Sequence, residues 1–220
     1  MENQEILSHI DHTQLKAYAT WEDIDLLCRQ AVEYRTASVC IPPCYIRRVR
    51  DSYPDLKICT VVGFPLGYSV TAAKAAEIEE ALKDGADEID MVVNISDVKN
   101  HRYDRVEEEI RALKDACGGH ILKVIVEACY LTREEKIAMC RAVTAAGADY
   151  IKTSTGFGTG GATAEDVKLF SEHIGPGVSI KAAGGVKTRE DLETFLALGC
   201  ERIGTSSAVS ILAGEGAKEY

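Results

Sequence analysis

Three lysines and one aspartate occupy positions where they could perform amine chemistry on a carbonyl compound. Lys123, Lys152 and Lys181 each lie in a short run of apolar residues, and Asp90 lies in another. A free lysine has a pKa near 10.4, so only about one in two thousand is a neutral amine at pH 7. Neighbouring positive charge and partial removal from water both favour the neutral form. A group of lysines therefore predicts a nucleophile that could form a Schiff base with a carbonyl carbon.

The segments that carry these residues belong to a regular alternation of strands and helices. The candidate strands are Ile10–Thr13, Ala37–Ile41, Lys57–Val62, Glu88–Asn94, Ile121–Glu127, Tyr150–Ser154, Val178–Ala182 and Arg202–Gly204. The helical patterns cover residues 21–34, 44–53, 71–84, 97–116, 133–146, 164–173, 189–198 and 206–213. Eight strand–helix units predict a closed parallel (β/α)8 TIM barrel rather than an open doubly wound sheet. The length of 220 residues fits one barrel domain over residues 1–220.

Two local patterns support these boundaries. Glycine followed two residues later by an acidic residue recurs at 85–89, 147–151 and 199–203, each time between a helix and a strand. Glycine suits the left-handed position that ends a helix. Thr132 followed by Glu135 is typical of the capping box that begins a helix.

The alternation of side chains along each strand predicts which residues face the barrel interior. The predicted interior residues are Asp90, Val92 and Asn94 in strand four, Lys123, Ile125 and Glu127 in strand five, Lys152 and Ser154 in strand six, and Lys181 in strand seven. A buried ammonium costs several kcal/mol unless it is paired. Three interior lysines therefore indicate a functional cluster. The alternative is that each lysine lies at the end of its strand and only pairs with Asp90 or Glu127.

Glycine-rich turns follow the last three strands. They contain Gly156 after strand six, Gly184 and Gly185 after strand seven, and Gly204, Ser206 and Ser207 after strand eight. Many TIM barrels bind phosphate at the loops after strands seven and eight, through backbone N–H groups. Each turn alone could be an ordinary connection, but together they predict a phosphate subsite, to which Lys187 could add a cation.

Charge and cysteine content restrict the possible partners. The formal net charge is −10 and the sequence pI is near 5.0, which disfavours nucleic acid and anionic membranes as partners. Eight scattered cysteines include one close pair, Cys40 and Cys44, without the further ligands that a zinc site needs. The chain begins without the basic, apolar pattern of a signal peptide. These features predict a cytoplasmic protein with reduced thiols and with no metal or cofactor.

Five segments spread along the chain resemble the deoxyribose-phosphate aldolase family. They are Ile10–Thr13, Val62–Gly67, Asp87–Asn94, Tyr150–Gly156 and Ile180–Val186. The resemblance implies a class I aldolase that reversibly cleaves 2-deoxy-D-ribose 5-phosphate to acetaldehyde and D-glyceraldehyde 3-phosphate. It also implies a homo-oligomer that acts on this small sugar phosphate without a cofactor.

The same resemblance assigns roles to individual residues. Lys152 matches the Schiff-base lysine, Lys181 the lysine that perturbs it, and Asp90 the group that moves protons. Lys123 and Asp11 match supporting members of the polar network. Phe157 and Lys187 flank the phosphate turns where some relatives carry a different basic pattern. Two alternatives stay open, namely a Schiff-base lyase for a different sugar or keto-acid phosphate, and a non-catalytic barrel that only binds a sugar phosphate.

Overall fold

Eight parallel strands close into a barrel in the computed structural model, which describes residues 1–214. The strands are β1 (Ile10–Thr13), β2 (Ser38–Ile41), β3 (Ile58–Val62), β4 (Glu88–Val92), β5 (Ile121–Ile125), β6 (Tyr150–Lys152), β7 (Ser179–Ala183) and β8 (Cys200–Thr205). Each strand pairs with the next, and β8 pairs with β1. The predicted single (β/α)8 TIM barrel is confirmed.

Helices surround this barrel. They are α1 (Asn3–Leu7), α2 (Trp21–Tyr34), α3 (Ile46–Ser52), α4 (Thr71–Asp84), α5 (Ile95–Lys99), α6 (Tyr103–Ala116), α7 (Arg133–Ala145), α8 (Ala164–His173), α9 (Arg189–Ala197) and α10 (Ala208–Leu212). Thr132 and Glu135 form the predicted capping box at the start of α7. Gly85 ends α4 in the left-handed conformation, with φ of 107°. The apolar core lies between the strands and these helices.

Two helical predictions were wrong in detail. The predicted helix over 97–116 is divided into α5 and α6, because His101 adopts a positive φ of 56° that an α-helix cannot continue through. The predicted helix over 44–53 begins as a 3-10 turn, Pro43–Tyr45, before α3. Helix α1 has only five residues, too few to show a helical period in the sequence.

Several strands end earlier than the sequence indicated. Asn94, Glu127 and Ser154 lie beyond the ends of β4, β5 and β6, so the predicted strands were too long at these ends. Asn94 instead caps α5 by accepting a hydrogen bond from the backbone N–H of Asp97. Glu127 leaves the extended conformation, with φ of 50°. Conversely, β8 is longer than predicted, because β7 and β1 pair with it on both sides.

The predicted domain covers residues 1–220, of which 215–220 lie outside the described residues. Within residues 1–214, no helix combines the length and the apolar character that crossing a bilayer requires.

Candidate active site

The three interior lysines converge on one carboxylate. Lys123 Nζ lies 2.9 Å from Asp90 Oδ1, while Lys152 Nζ and Lys181 Nζ lie 2.7 and 2.6 Å from Asp90 Oδ2. Strand register brings them together, because Asp90 is the partner of Lys123 and Lys152 is the partner of Lys181 in neighbouring strands. All four side chains are buried. The predicted interior lysine cluster is therefore present, and the alternative was right in that all three lysines do pair with Asp90.

A second set of charged residues lies against these lysines. Asp11 Oδ2 is 2.5 Å from Lys181 Nζ, and Glu88 Oε2 is 2.6 Å from Lys123 Nζ. Arg202 bridges Asp11 and Glu88 at 2.5 and 3.0 Å. Asp11 was predicted, whereas Glu88 and Arg202 were not. Glu88 lies two residues before Asp90, so the same alternation along β4 could have placed it inside the barrel.

The cluster carries more positive than negative charge. Three lysines and Arg202 face three carboxylates, those of Asp11, Glu88 and Asp90. Burial alone would raise the pKa of Asp90, but the three lysines hold it well below its ordinary value. Burial likewise opposes the charge on Lys181, and Asp11 and Asp90 raise its pKa above the ordinary value. Loss of one proton from one lysine would leave the cluster electrically neutral.

A cavity of about 720 Å³ opens above this cluster at the carboxyl ends of the strands. Lys152 lines it, and among the described residues no other member of the cluster does. All seven predicted phosphate-subsite residues also line it, namely Gly156, Gly184, Gly185, Lys187, Gly204, Ser206 and Ser207. A small molecule in this cavity can therefore contact both Lys152 and the glycine-rich turns.

Backbone conformation and close packing explain four of the glycines around the cavity. Gly184 and Gly185 both have positive φ, of 77° and 74°. A Cβ atom on Gly161 would lie 2.4 Å from the carbonyl of Gly184, so the loop after β6 can lie directly on the turn after β7. A Cβ atom on Gly204 would lie 3.1 Å from Lys181 Cε. Gly204 therefore also leaves room for the Lys181 side chain.

Glu127 holds the turn that contains Gly156. Its Oε1 accepts a hydrogen bond from the backbone N–H of Thr155 at 3.1 Å, and its other oxygen accepts one from the Thr155 hydroxyl. The Glu127 side chain is buried, so both bonds are shielded from water. The predicted alternative partner of the lysines thus serves the neighbouring loop instead.

The loop after β1 forms a wall of the cavity that the sequence analysis did not predict. Leu15, Lys16 and Tyr18 line it, as does the aromatic ring of Phe157. Phe157 packs edge-on against Phe64, with ring centroids 5.4 Å apart. The signal was available, because β1 ends at the same face of the barrel as the strands that carry the glycine turns.

Two groups of side chains have the spacing of metal ligands. Cys59 belongs to both, once with Cys40 and Asp90 and once with Asp11 and Glu88, and within each group the ligand atoms lie within 4.8 Å of one another. Lys123 Nζ lies 3.2 Å from Cys59 Sγ and already acts as a cation for both groups. Burial also raises the pKa of Cys59 well above its ordinary value, which keeps it a thiol. The donor set therefore suits an ammonium better than a metal ion.

Comparison with known proteins gives a consistent family. The model of the DeoC/LacD family aldolases matches residues 6–210. The deoxyribose-phosphate aldolase of Clostridium botulinum (strain Alaska E43 / Type E3) is 66% identical over the whole of both chains. That of Clostridioides difficile (strain 630) is 56% identical over 98% of this chain and 99% of its own. The tetrameric deoxyribose phosphate aldolase from Aeropyrum pernix superposes with a TM-score of 0.90 at 31% identity, covering 97% of this chain and 92% of its own. The chain therefore belongs to the DeoC/LacD family of aldolases, enzymes of the lyase class.

Proposed function

We propose that this aldolase reversibly cleaves 2-deoxy-D-ribose 5-phosphate to acetaldehyde and D-glyceraldehyde 3-phosphate through a Schiff base on Lys152. The names of its relatives support the substrate. The observation that carries the mechanism is the position of Lys152. Its amine both contacts Asp90 inside the charged cluster and lines the cavity, so among the three clustered lysines it is the one that a substrate can reach.

The chemistry begins with the open-chain form of the sugar. The Lys152 amine adds to the aldehyde carbon to give a carbinolamine, and loss of water gives an iminium ion. Loss of the proton from the C3 hydroxyl then breaks the C2–C3 bond, and its electron pair moves into the iminium to form an enamine. D-Glyceraldehyde 3-phosphate departs. Protonation of the enamine at carbon and addition of water release acetaldehyde and restore the amine.

The charged cluster supplies the proton transfers. Asp90 Oδ2 accepts hydrogen bonds from both Lys152 and Lys181, so a proton can pass between these groups over one carboxylate. Lys123 and Asp11 hold Asp90 and Lys181 in place through ion pairs.

The glycine-rich turns bind the phosphate group in this proposal. Backbone N–H groups at Gly156, Gly184, Gly185 and Gly204 can approach an anion closely, since no side chain intervenes. Ser206 and Ser207 add hydroxyl donors, and Lys187 adds a cation. Because these residues and Lys152 line one cavity, a bound phosphate would orient the sugar aldehyde toward the amine.

Reduction with borohydride tests the proposal directly. Incubation with acetaldehyde and borohydride should leave one ethyl group on Lys152, and Lys152→Ala should remove both this adduct and turnover. Lys57→Ala is the matched control, because Lys57 is exposed just before β3, at the opposite end of the barrel. An adduct on Lys123 or Lys181 would contradict the assignment. A barrel that only binds sugar phosphate would gain no adduct.

A substrate panel separates the proposed reaction from that of a related Schiff-base lyase. Cleavage of 2-deoxy-D-ribose 5-phosphate should exceed cleavage of other sugar or keto-acid phosphates by at least tenfold in kcat/KM.

We further propose that the protein is a cytoplasmic homo-oligomer. The tetramer of the Aeropyrum pernix relative supports the oligomer, and sedimentation of the purified protein tests it.

A further inference from the structure

Three lysines surround the cavity in the described part of the chain. They are Lys16 in the loop after β1, Lys152 in β6, and Lys187 in the loop after β7. In the proposed function Lys152 is the nucleophile that forms the Schiff base, so it is not available to bind the phosphate. The protein as a whole has a net charge of −10 and repels a dianionic phosphate, so the attraction must come from cations close to the bound phosphate. Apart from Lys152, the described cations that line the cavity are Lys16 and Lys187.

The barrel topology places these two lysines on opposite sides of the β8 turn. Strand β8 pairs with β7 on one side and with β1 on the other, with Gly204 the partner of Asp11. The loop that contains Lys16 is therefore the direct neighbour of the turn that contains Ser206 and Ser207. A phosphate on that turn has a lysine loop on each side.

The other loops at the mouth supply less positive charge. Phe157 follows Gly156 and presents an aromatic ring that packs against Phe64. The backbone N–H of Lys187 donates to the carboxylate of Asp191 at 2.9 Å, which keeps a negative charge close to Lys187. Lys16 is half-buried, and its ammonium lies 5.7 Å from the ring centroid of Tyr18. This distance is within the range of a cation–π contact, which would hold the Lys16 ammonium at the cavity wall.

We propose that Lys16 binds the phosphate group of the substrate and determines the preference for phosphorylated over unphosphorylated sugars. This inference rests on the proposed function and adds a specificity-determining residue from β1 to the turns after β6, β7 and β8. One charge-assisted hydrogen bond to a dianion corresponds to about a ten- to hundredfold change in kcat/KM.

The test compares Lys16→Met, Lys16→Arg and the control Lys57→Met. For each variant, kcat and KM are measured with 2-deoxy-D-ribose 5-phosphate and with 2-deoxy-D-ribose, together with inhibition by inorganic phosphate at constant ionic strength. Lys16→Met should lose at least ten times more kcat/KM with the phosphorylated sugar than with the free sugar, mainly through KM. Its inhibition constant for phosphate should rise by a similar factor. Lys16→Arg should restore most of both effects, and Lys57→Met should have neither.

Failure of this inference differs from failure of the proposed function. If Lys16→Met kept the wild-type ratio between the two sugars and the wild-type phosphate inhibition, Lys16 would not bind phosphate. If the wild-type protein did not cleave the phosphorylated sugar at all, the proposed function itself would be wrong. Lys16→Gln provides a second neutral variant, and equal losses with both sugars in both neutral variants would assign Lys16 a structural role instead.

Discussion

Replacement of Lys74 by methionine should destabilise the protein strongly although Lys74 lies outside the proposed site. The Lys74 ammonium is fully buried beneath the loops after β3 and β4. It donates to the carbonyl of Val92 at 2.8 Å and to Glu109 Oε2 at 2.9 Å. Methionine keeps the length of the side chain but leaves the buried Glu109 carboxylate without its cation. It also leaves the carbonyl of Val92, two residues after Asp90, without that donor.

The expected loss follows from the burial of the pair. Removing one partner of a buried ion pair costs about 3–5 kcal/mol of unfolding free energy. At a urea slope of about 3 kcal/mol per M, suited to a chain of this size, the unfolding midpoint should fall by about 1–2 M. Burial lowers the pKa of Lys74 despite the presence of Glu109, so the charged pair itself adds little net stability. The double variant Lys74→Met with Glu109→Gln should therefore recover part of the loss.

Urea unfolding followed by circular dichroism measures this effect. Lys83→Met is the matched control, because Lys83 pairs with Glu80 on the same helix and both side chains are more than 60% exposed. That exposed pair should contribute at most about 1 kcal/mol. The reasoning would be refuted if Lys74→Met shifted the midpoint no more than Lys83→Met does. It would also be refuted if the double variant were less stable than Lys74→Met alone.

Four further outcomes are expected. Asp90→Asn should keep borohydride trapping on Lys152 but lose solvent hydrogen exchange at the acetaldehyde methyl group, measured by NMR. Chelators should leave the cleavage rate unchanged, whereas a loss with EDTA that zinc restores would point to metal-dependent chemistry. Ser206→Asp should lower kcat/KM for the phosphorylated sugar at least tenfold more than for the free sugar, because it places a like charge beside the phosphate. The ion pairs hold the pKa of Asp11 below its ordinary value, so its contribution is complete above about pH 4 and declines below it. Asp11→Asn should therefore be less stable at pH 7 and lose less stability between pH 5 and pH 3, measured by urea midpoints.

The sequence by itself determined the architecture and the central residues of the candidate site. Strand periodicity depends only on neighbouring residues, and it placed Lys123, Lys152 and Lys181 on the inner face of the barrel. Glycine turns are equally local, and they predicted the turns that line the cavity. Where a local conformation broke the pattern, as at His101 and Glu127, the sequence analysis misplaced element ends, because positive φ at a residue other than glycine leaves no periodic signal.

Only the tertiary structure decided which side chains meet. Asp90 contacts Lys152 across 62 residues of sequence and Lys181 across 91, and periodicity gives the face of a strand but not the height of a side chain within the barrel. The same limit hid Arg202, whose partners come from β1 and β4. The Lys74 pair was hidden for a related reason, because it joins two helices and helical periodicity does not show which helices pack together. Which lysine opens to the cavity depends on how the loops close above the strands, so the accessibility of Lys152 emerged only from the folded barrel.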